Sequence, residues 1–215
     1  YYGLADLAQT FNAKYPKVHM RLIGLNSAFV AESVAAGDVE CGLVVLPVPE
    51  FALEIKPLFK DEVFFASTTR PADNGPVTIE EFAQSNLILF DAHAGNLDPT
   101  RKQLADRAMA AGVSINPKIE VEQLDAAIRM VANGAGDTIV SRSVVEGTVF
   151  PKNIKLFRFA EPLYDTIALI QRSGLQLSPA TAQFASMAEK MLLKSLKVSK
   201  QGVVDQSKIA DLIIE

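Results

Sequence analysis

The sequence predicts an α/β fold of two βαβ lobes joined by two crossing strands, and three observations carry that prediction. Apolar stripes at helical spacing alternate along the chain with short apolar runs. Those runs are apolar on both sides, as strands covered by helices on both faces are. The alternation stops at a stretch rich in Pro, Asp, Asn and Gly, residues 71–76, and then starts again, which marks a change of lobe.

The first helix is read from Leu4, Leu7, Ala8, Phe11 and Tyr15, which form one apolar stripe that Tyr15-Pro16 ends. Residues 18–25 read as a buried strand, Asn26-Ser27 as a cap, residues 29–36 as a helix, and Gly37-Asp38 as the turn into an apolar strand from Cys41 to Leu46. A connection of that length favours a parallel pair with a right-handed crossover. A strand-like run, residues 62–66, closes the first lobe. In the second, residues 87–90 form a strand, and Asp98 caps a helix with Pro99 at its first position that runs to Gly112. Residues 119–122 are the next strand, and Leu124, Ala127, Ile128 and Val131 stripe a helix closed by Asn133-Gly134. Strands at 138–140 and 154–159 follow. Residues 166–171 return the chain to the first lobe, and Ser178-Pro179 opens a helix with Phe184, Met187, Ala188, Met191 and Leu192 on one face.

Composition narrows the function. Of 215 residues about half (49%) are apolar, enough for a buried core, and the net charge is −4 with no basic block beyond Lys194, Lys197 and Lys200. Nucleic acid wants a concentrated positive face, so this chain alone is not expected to bind DNA. No apolar run reaches membrane-spanning length and no signal peptide is visible, so a cytoplasmic location is expected. A single cysteine, Cys41, and two histidines give neither an internal disulfide nor a metal-ligand spacing, and neither a metal nor a cofactor is expected. Cys41 opens an apolar strand and reads as a small buried hydrophobe. Gly134-Ala135-Gly136 lacks the third glycine of a dinucleotide site. No phosphate loop or nucleophile elbow is present, so no enzymatic activity is expected.

Several segments resemble, in order and spacing, the effector-binding domain of LysR-type transcriptional regulators. They are Phe11-Asn12-Ala13-Lys14-Tyr15-Pro16-Lys17-Val18; residues 34–43, Val-Ala-Ala-Gly-Asp-Val-Glu-Cys-Gly-Leu; Ile55-Lys56-Pro57-Leu58-Phe59; residues 76–82; residues 87–90; and residues 126–136, Ala-Ala-Ile-Arg-Met-Val-Ala-Asn-Gly-Ala-Gly. The resemblance covers roughly residues 3–193. It implies two Rossmann-like lobes of the type 2 periplasmic-binding-protein-like class, with lobe I at 1–65 and 167–193, lobe II at 66–166, and a C-terminal extension at 194–215. It also implies self-association as a homodimer or tetramer, and DNA contact only through a domain that this chain does not contain. The family begins with a strand ahead of the first helix, so the natural polypeptide is expected to continue upstream of Tyr1. Asp137 stands where the family has an apolar residue, and because a lone buried carboxylate is costly it is expected to face water or a partner.

In open α/β sheets ligands sit beyond the carboxyl ends of the strands, which singles out four junctions: Asn26-Ser27, residues 45–47, residues 91–98 and Glu122-Gln123. Helix starts there favour an anion. The candidate ligand contacts are Asn26, Ser27, Leu46, His93, Asn96, Gln123 and, by the family's pocket-edge position, Ser141. Ser27 serves equally well as a plain helix cap, His93 as a solvated loop residue, and Ser141 as the start of a turn. His19, beside Arg21, reads as structural. The function implied is sensing of a small, anionic effector. The alternatives are a solute-binding protein of a transport system, which would carry a secretion signal, and a two-lobe enzyme, for which catalytic motifs are missing.

Overall fold

The computed structural model describes residues 4–49, 52–147, 149–200 and 213–214. Its first elements are α1 (Leu4–Lys14), α2 (Ser27–Ala36), β1 (Cys41–Leu46), β2 (Leu53–Ser67), α3 (Ile79–Gln84) and β3 (Ile88–Leu89). Next come α4 (Pro99–Ala110), β4 (Ile119–Glu120), α5 (Leu124–Ala132), β5 (Thr138–Ser141) and α6 (Arg142–Gly147). The last are β6 (Lys155–Phe157), β7 (Leu163–Arg172), α7 (Pro179–Lys200) and β8 (Ile213–Ile214). The chain divides into two compact units: Tyr1–Lys60 with Thr166–Val204, and Asp61–Asp165 with Asp205–Glu215.

In the first unit, β1 pairs antiparallel with β7, from Cys41 opposite Gln171 to Leu46 opposite Thr166. Helix α2 starts at Asn26, whose side chain accepts from the Ala28 amide at 3.1 Å, and ends at Gly37 in the left-handed conformation (φ 86°) that glycine adopts without strain. The helix lies close on the strand: a Cβ at Gly42 would come within 2.3 Å of Val30 Cγ1. Ala31, Val34, Val44, Ala168 and Ile170 form the buried core there. Helix α1 buries Leu7 and Phe11, the latter edge-on to Phe184 of α7 with ring centroids 5.4 Å apart. Glu40 anchors the start of α7, accepting from the Ser178 amide at 2.8 Å and from the Ser178 and Thr181 hydroxyls; the amide bond leads in holding its carboxyl below the usual range.

Residues 18–25 depart from expectation. They form no strand, and Leu22, Ile23 and Leu25 are exposed. An alternating apolar run becomes a strand only when a neighbour takes its backbone hydrogen bonds; among the described residues β1 pairs with β7, its other edge carries no strand, and the expected parallel pair with 41–46 does not form. His19, placed in that run, is exposed in irregular chain.

In the second unit, β2 lies between two antiparallel neighbours: Val63–Ala66 face Ser141–Thr138 of β5, and Phe65–Ser67 face Phe157–Lys155 of β6. A parallel pair, β3 with β4, flanks α4 in sequence and makes the βαβ crossover. Helix α4 begins where the Asp98-Pro99 pair places it, with the Asp98 carboxylate accepting from the Arg101 amide at 2.8 Å. Helix α3 carries a capping box, Thr78 with Glu81. Two apolar clusters cover opposite faces of the sheet. One is built on Phe64, Ile88, Ala127, Val131 and Leu156, the other on Phe65, Phe82, Leu87, Leu104 and Phe157. Gly136 is required by space, because a Cβ there would meet the Asn86 carbonyl oxygen at 2.2 Å.

Asp137 was expected to face water or a partner; it is buried, at 8% exposure, so it does not face water and has polar side chains beside it. Its backbone bridges to Asn86 and Ile88. Burial raises its carboxyl above the usual range, and the Ser67 hydroxyl and Arg70, some seventy residues earlier in sequence, oppose that shift. The apolar series Ile209, Leu212 and Ile213 lies outside the residues whose side chains are described, as do Lys194, Lys197 and Lys200. Backbone pairing joins Ile213-Ile214 in parallel to Leu156-Phe157. Among the described residues no helix is long and apolar enough to cross a membrane.

Candidate functional site

Both units present polar groups at strand-to-helix junctions. In the first, β1 ends at Leu46, which is half-buried on the β1/α2 core. The Val45 amide donates to Ser27 Oγ at 2.9 Å, so the Ser27 hydroxyl ties the start of α2 to the end of β1. Asn26, not Ser27, is the cap of α2. A hydroxyl whose oxygen already accepts still holds a proton to donate, and Ser27 is only half-buried. Asn26, Ser27 and Leu46 thus share one junction.

The second unit's junction is built around Glu122. Its carbonyl accepts from the Asp91 amide at 3.3 Å, and its carboxylate accepts from the His93 amide at 3.0 Å, which holds loop 91–97 beside the start of α5. Asp91 adopts φ 56°, a left-handed conformation that aspartate tolerates better than most side chains and that turns the chain out of β3. Gln123 occupies the N-cap position of α5 without a side-chain capping bond, leaving first-turn amides of that helix for water or a ligand. His93 and Gln123 are exposed there. Asp91, Glu122 and Asp125 make the charge of this junction negative around His93.

Two candidates lie elsewhere. Asn96 lines a separate cavity with Arg101. Ser141 ends β5, opposite Val63, and its hydroxyl bonds to the Asp61 carboxylate. Asn133 is the C-cap of α5. Cys41 is part-buried, and burial, with Glu40 beside it, pushes its thiol up to about 11, so it is a poor nucleophile at neutral pH. Among the described residues no group of His, Cys, Asp and Glu is arranged to hold a metal ion.

Sequence reading missed a set of buried carboxylates in the second unit. Asp165, 6% exposed, accepts from Thr100 Oγ1 at 2.8 and 2.9 Å and from Gln103 Nε2 at 3.3 Å. Burial, with Asp98 and Asp61 nearby, pushes its carboxyl up to about 7 in spite of the Thr100 bond. Asp61 is also buried and raised by burial; its Oδ1 accepts from the Ser143 amide at 3.2 Å. These residues are a hundred positions apart, so no local pattern could have announced them.

The family model of the LysR substrate binding domain matches residues 1–192. This chain belongs to that family. The regulator YvbU of Bacillus subtilis (strain 168), a helix-turn-helix-type transcriptional regulator, is 23% identical over 192 residues, which are 88% of this chain and 63% of YvbU. The chain therefore spans less than two thirds of that relative. Among solved structures, the regulatory domain of Synechocystis PCC6803 CcmR in complex with 2-PG superposes with a TM-score of 0.76 at 17% identity, covering 89% of this chain and 91% of CcmR's. The BenM effector binding domain with its effector benzoate gives 0.68 at 16% identity, covering 93% and 87%. The two lobes of this LysR substrate-binding domain are of the type 2 periplasmic-binding-protein-like class, with two strands, β2 and β7, shared by both units.

Proposed function

We propose that the chain is the effector-sensing part of a LysR-type transcriptional regulator and takes a small metabolite at a strand-to-helix junction. The observation that carries this reading is the family match over residues 1–192. The CcmR regulatory domain in complex with 2-PG and the BenM effector binding domain with its effector benzoate share its fold. Ser27 at the one junction, and the first-turn amides of α5 at the other, are each a source of the donors a carboxylate or phosphate needs. Asp91, Glu122 and Asp125 favour a ligand that also carries a positive or neutral polar group on that side, so amino acids and hydroxy acids rank with simple anions. Binding shifts the arrangement of a homodimer or tetramer, and DNA is held through a domain outside this chain. In this reading the ligand is bound and released unchanged, as a sensor's effector is. Family membership favours this role over the transport-protein alternative, and a regulator works in the cytoplasm.

The test is thermal unfolding of the chain against a panel of carboxylates, amino acids, aromatic acids and phosphates. Ligand at about 100 times its dissociation constant stabilises the folded state by about 2.7 kcal/mol, which raises the midpoint by roughly 5 to 10 °C for a domain of this size. The expected result is a shift with one chemical class, with the compound recovered intact. Turnover of the compound would contradict the reading.

A further inference from the structure

The second unit contains a cavity of about 240 Å³ between α4 and the loop that follows it. Leu89, Leu104, Ala108 and Ile115 give it an apolar wall, and Asn96 and Arg101 lie at its polar part. Arg101 is 8% exposed. Its Nη1 donates to the Phe90 carbonyl at 3.2 Å and its Nη2 to Glu120 Oε1 at 2.5 Å, while Nε is buried without an acceptor. A buried guanidinium with an unmet N–H is costly to keep, and its planar donor fork suits a carboxylate held through two parallel bonds. The Glu120 side chain is 46% exposed and can turn into water at small cost, releasing one edge of that fork.

We propose that this cavity is a second ligand site, separate from Ser27 and Gln123 and touching the junction loop 91–97 through Asn96, for a small monocarboxylate with an apolar body. Its carboxylate takes the place of Glu120 on Arg101, and its hydrocarbon part lies against Leu89, Leu104, Ala108 and Ile115. Apolar burial supplies the affinity and the guanidinium sets the orientation, the usual division of labour in a small-molecule pocket. Because the carboxylate ligand competes with the protein's own Glu120, the site has a built-in antagonist that a single exposed substitution removes.

Hexanoate is the probe, titrated into the whole chain and followed by amide NMR. Shifts at Leu89, Leu104, Ala108 and Ile115 are expected. Glu120→Gln, a change at an exposed side chain that keeps the fold, is expected to tighten binding about tenfold by weakening the competing bond to Arg101. Ala108→Leu, which fills the cavity, is expected to abolish those shifts. If Ala108→Leu proves unfolded, the Glu120→Gln comparison decides alone. Absence of shifts at these four residues at low-millimolar hexanoate, or an affinity indifferent to Glu120→Gln, overturns the proposal. Shifts confined to Ser27 and Gln123 overturn it too, while leaving the junction reading intact.

Discussion

Asp165→Asn is expected to make the protein more stable at pH 8 by up to about 4 kcal/mol, and to flatten its stability between pH 4 and 7. The folded state holds a proton on Asp165 up to about pH 7, whereas the unfolded chain releases it near the ordinary aspartate value of 3.8. Between those values the native state binds more protons, so stability is full below about pH 4 and declines as pH rises toward 7. The difference of about 3 pKa units at about 1.4 kcal/mol each gives the magnitude, an upper figure because Asp61 and Asp98 titrate in the same field. Asparagine matches the neutral acid in shape. It keeps an oxygen to accept from Thr100 and carries no charge to desolvate. The measurement is the denaturant midpoint of both proteins at several pH values. Asp61 and Asp137, also raised by burial, add slopes of the same sign in the wild type and remain in the variant. A variant less stable than wild type at pH 8 would mean that Asp165 is charged and paired in the native protein.

Phe65→Ala is expected to cost about 3 to 5 kcal/mol, the usual range for emptying an aromatic from a core. Phe65 is 2% exposed in β2, between its two strand neighbours, and its ring meets those of Phe82 at 6.0 Å and Phe157 at 6.4 Å. Three rings held at tilted or edge-on angles cannot close over a vacated position without losing that geometry. Equilibrium unfolding measures the loss. A change under about 1 kcal/mol would place Phe65 outside the core.

The local elements were legible because their signals are local. Asp98-Pro99 set the start of α4 and Gly37 the end of α2, and the apolar run Cys41–Leu46 became β1 with the expected bounds. What failed depends on pairing. Residues 18–25 carry the composition of a strand, but composition cannot say whether a neighbour will be there, and β1 proved antiparallel to a strand more than a hundred residues later. Asp137, expected to face water or a partner, turned out to be buried beside other side chains. Its burial is tolerated because Ser67 and Arg70 lie beside it, and nothing near position 137 shows that.

The candidate site was legible at the level of junctions, since strand ends followed by helix starts can be read from periodicity. Individual roles could not be read. Ser27 serves as acceptor for the Val45 amide, Glu122 holds the His93 loop, and Asn96 lines a cavity whose main polar group, Arg101, was unremarkable in the sequence. Each of these depends on which distant segment comes alongside.

The most direct test of the sensing account is amide hydrogen exchange with and without the compound that the thermal panel identifies. The account predicts slowed exchange at a strand-to-helix junction, either at the end of β1 and start of α2 around Ser27 and Val45 or at loop 91–97 and the first turn of α5 around Gln123. Protection at neither junction would contradict it.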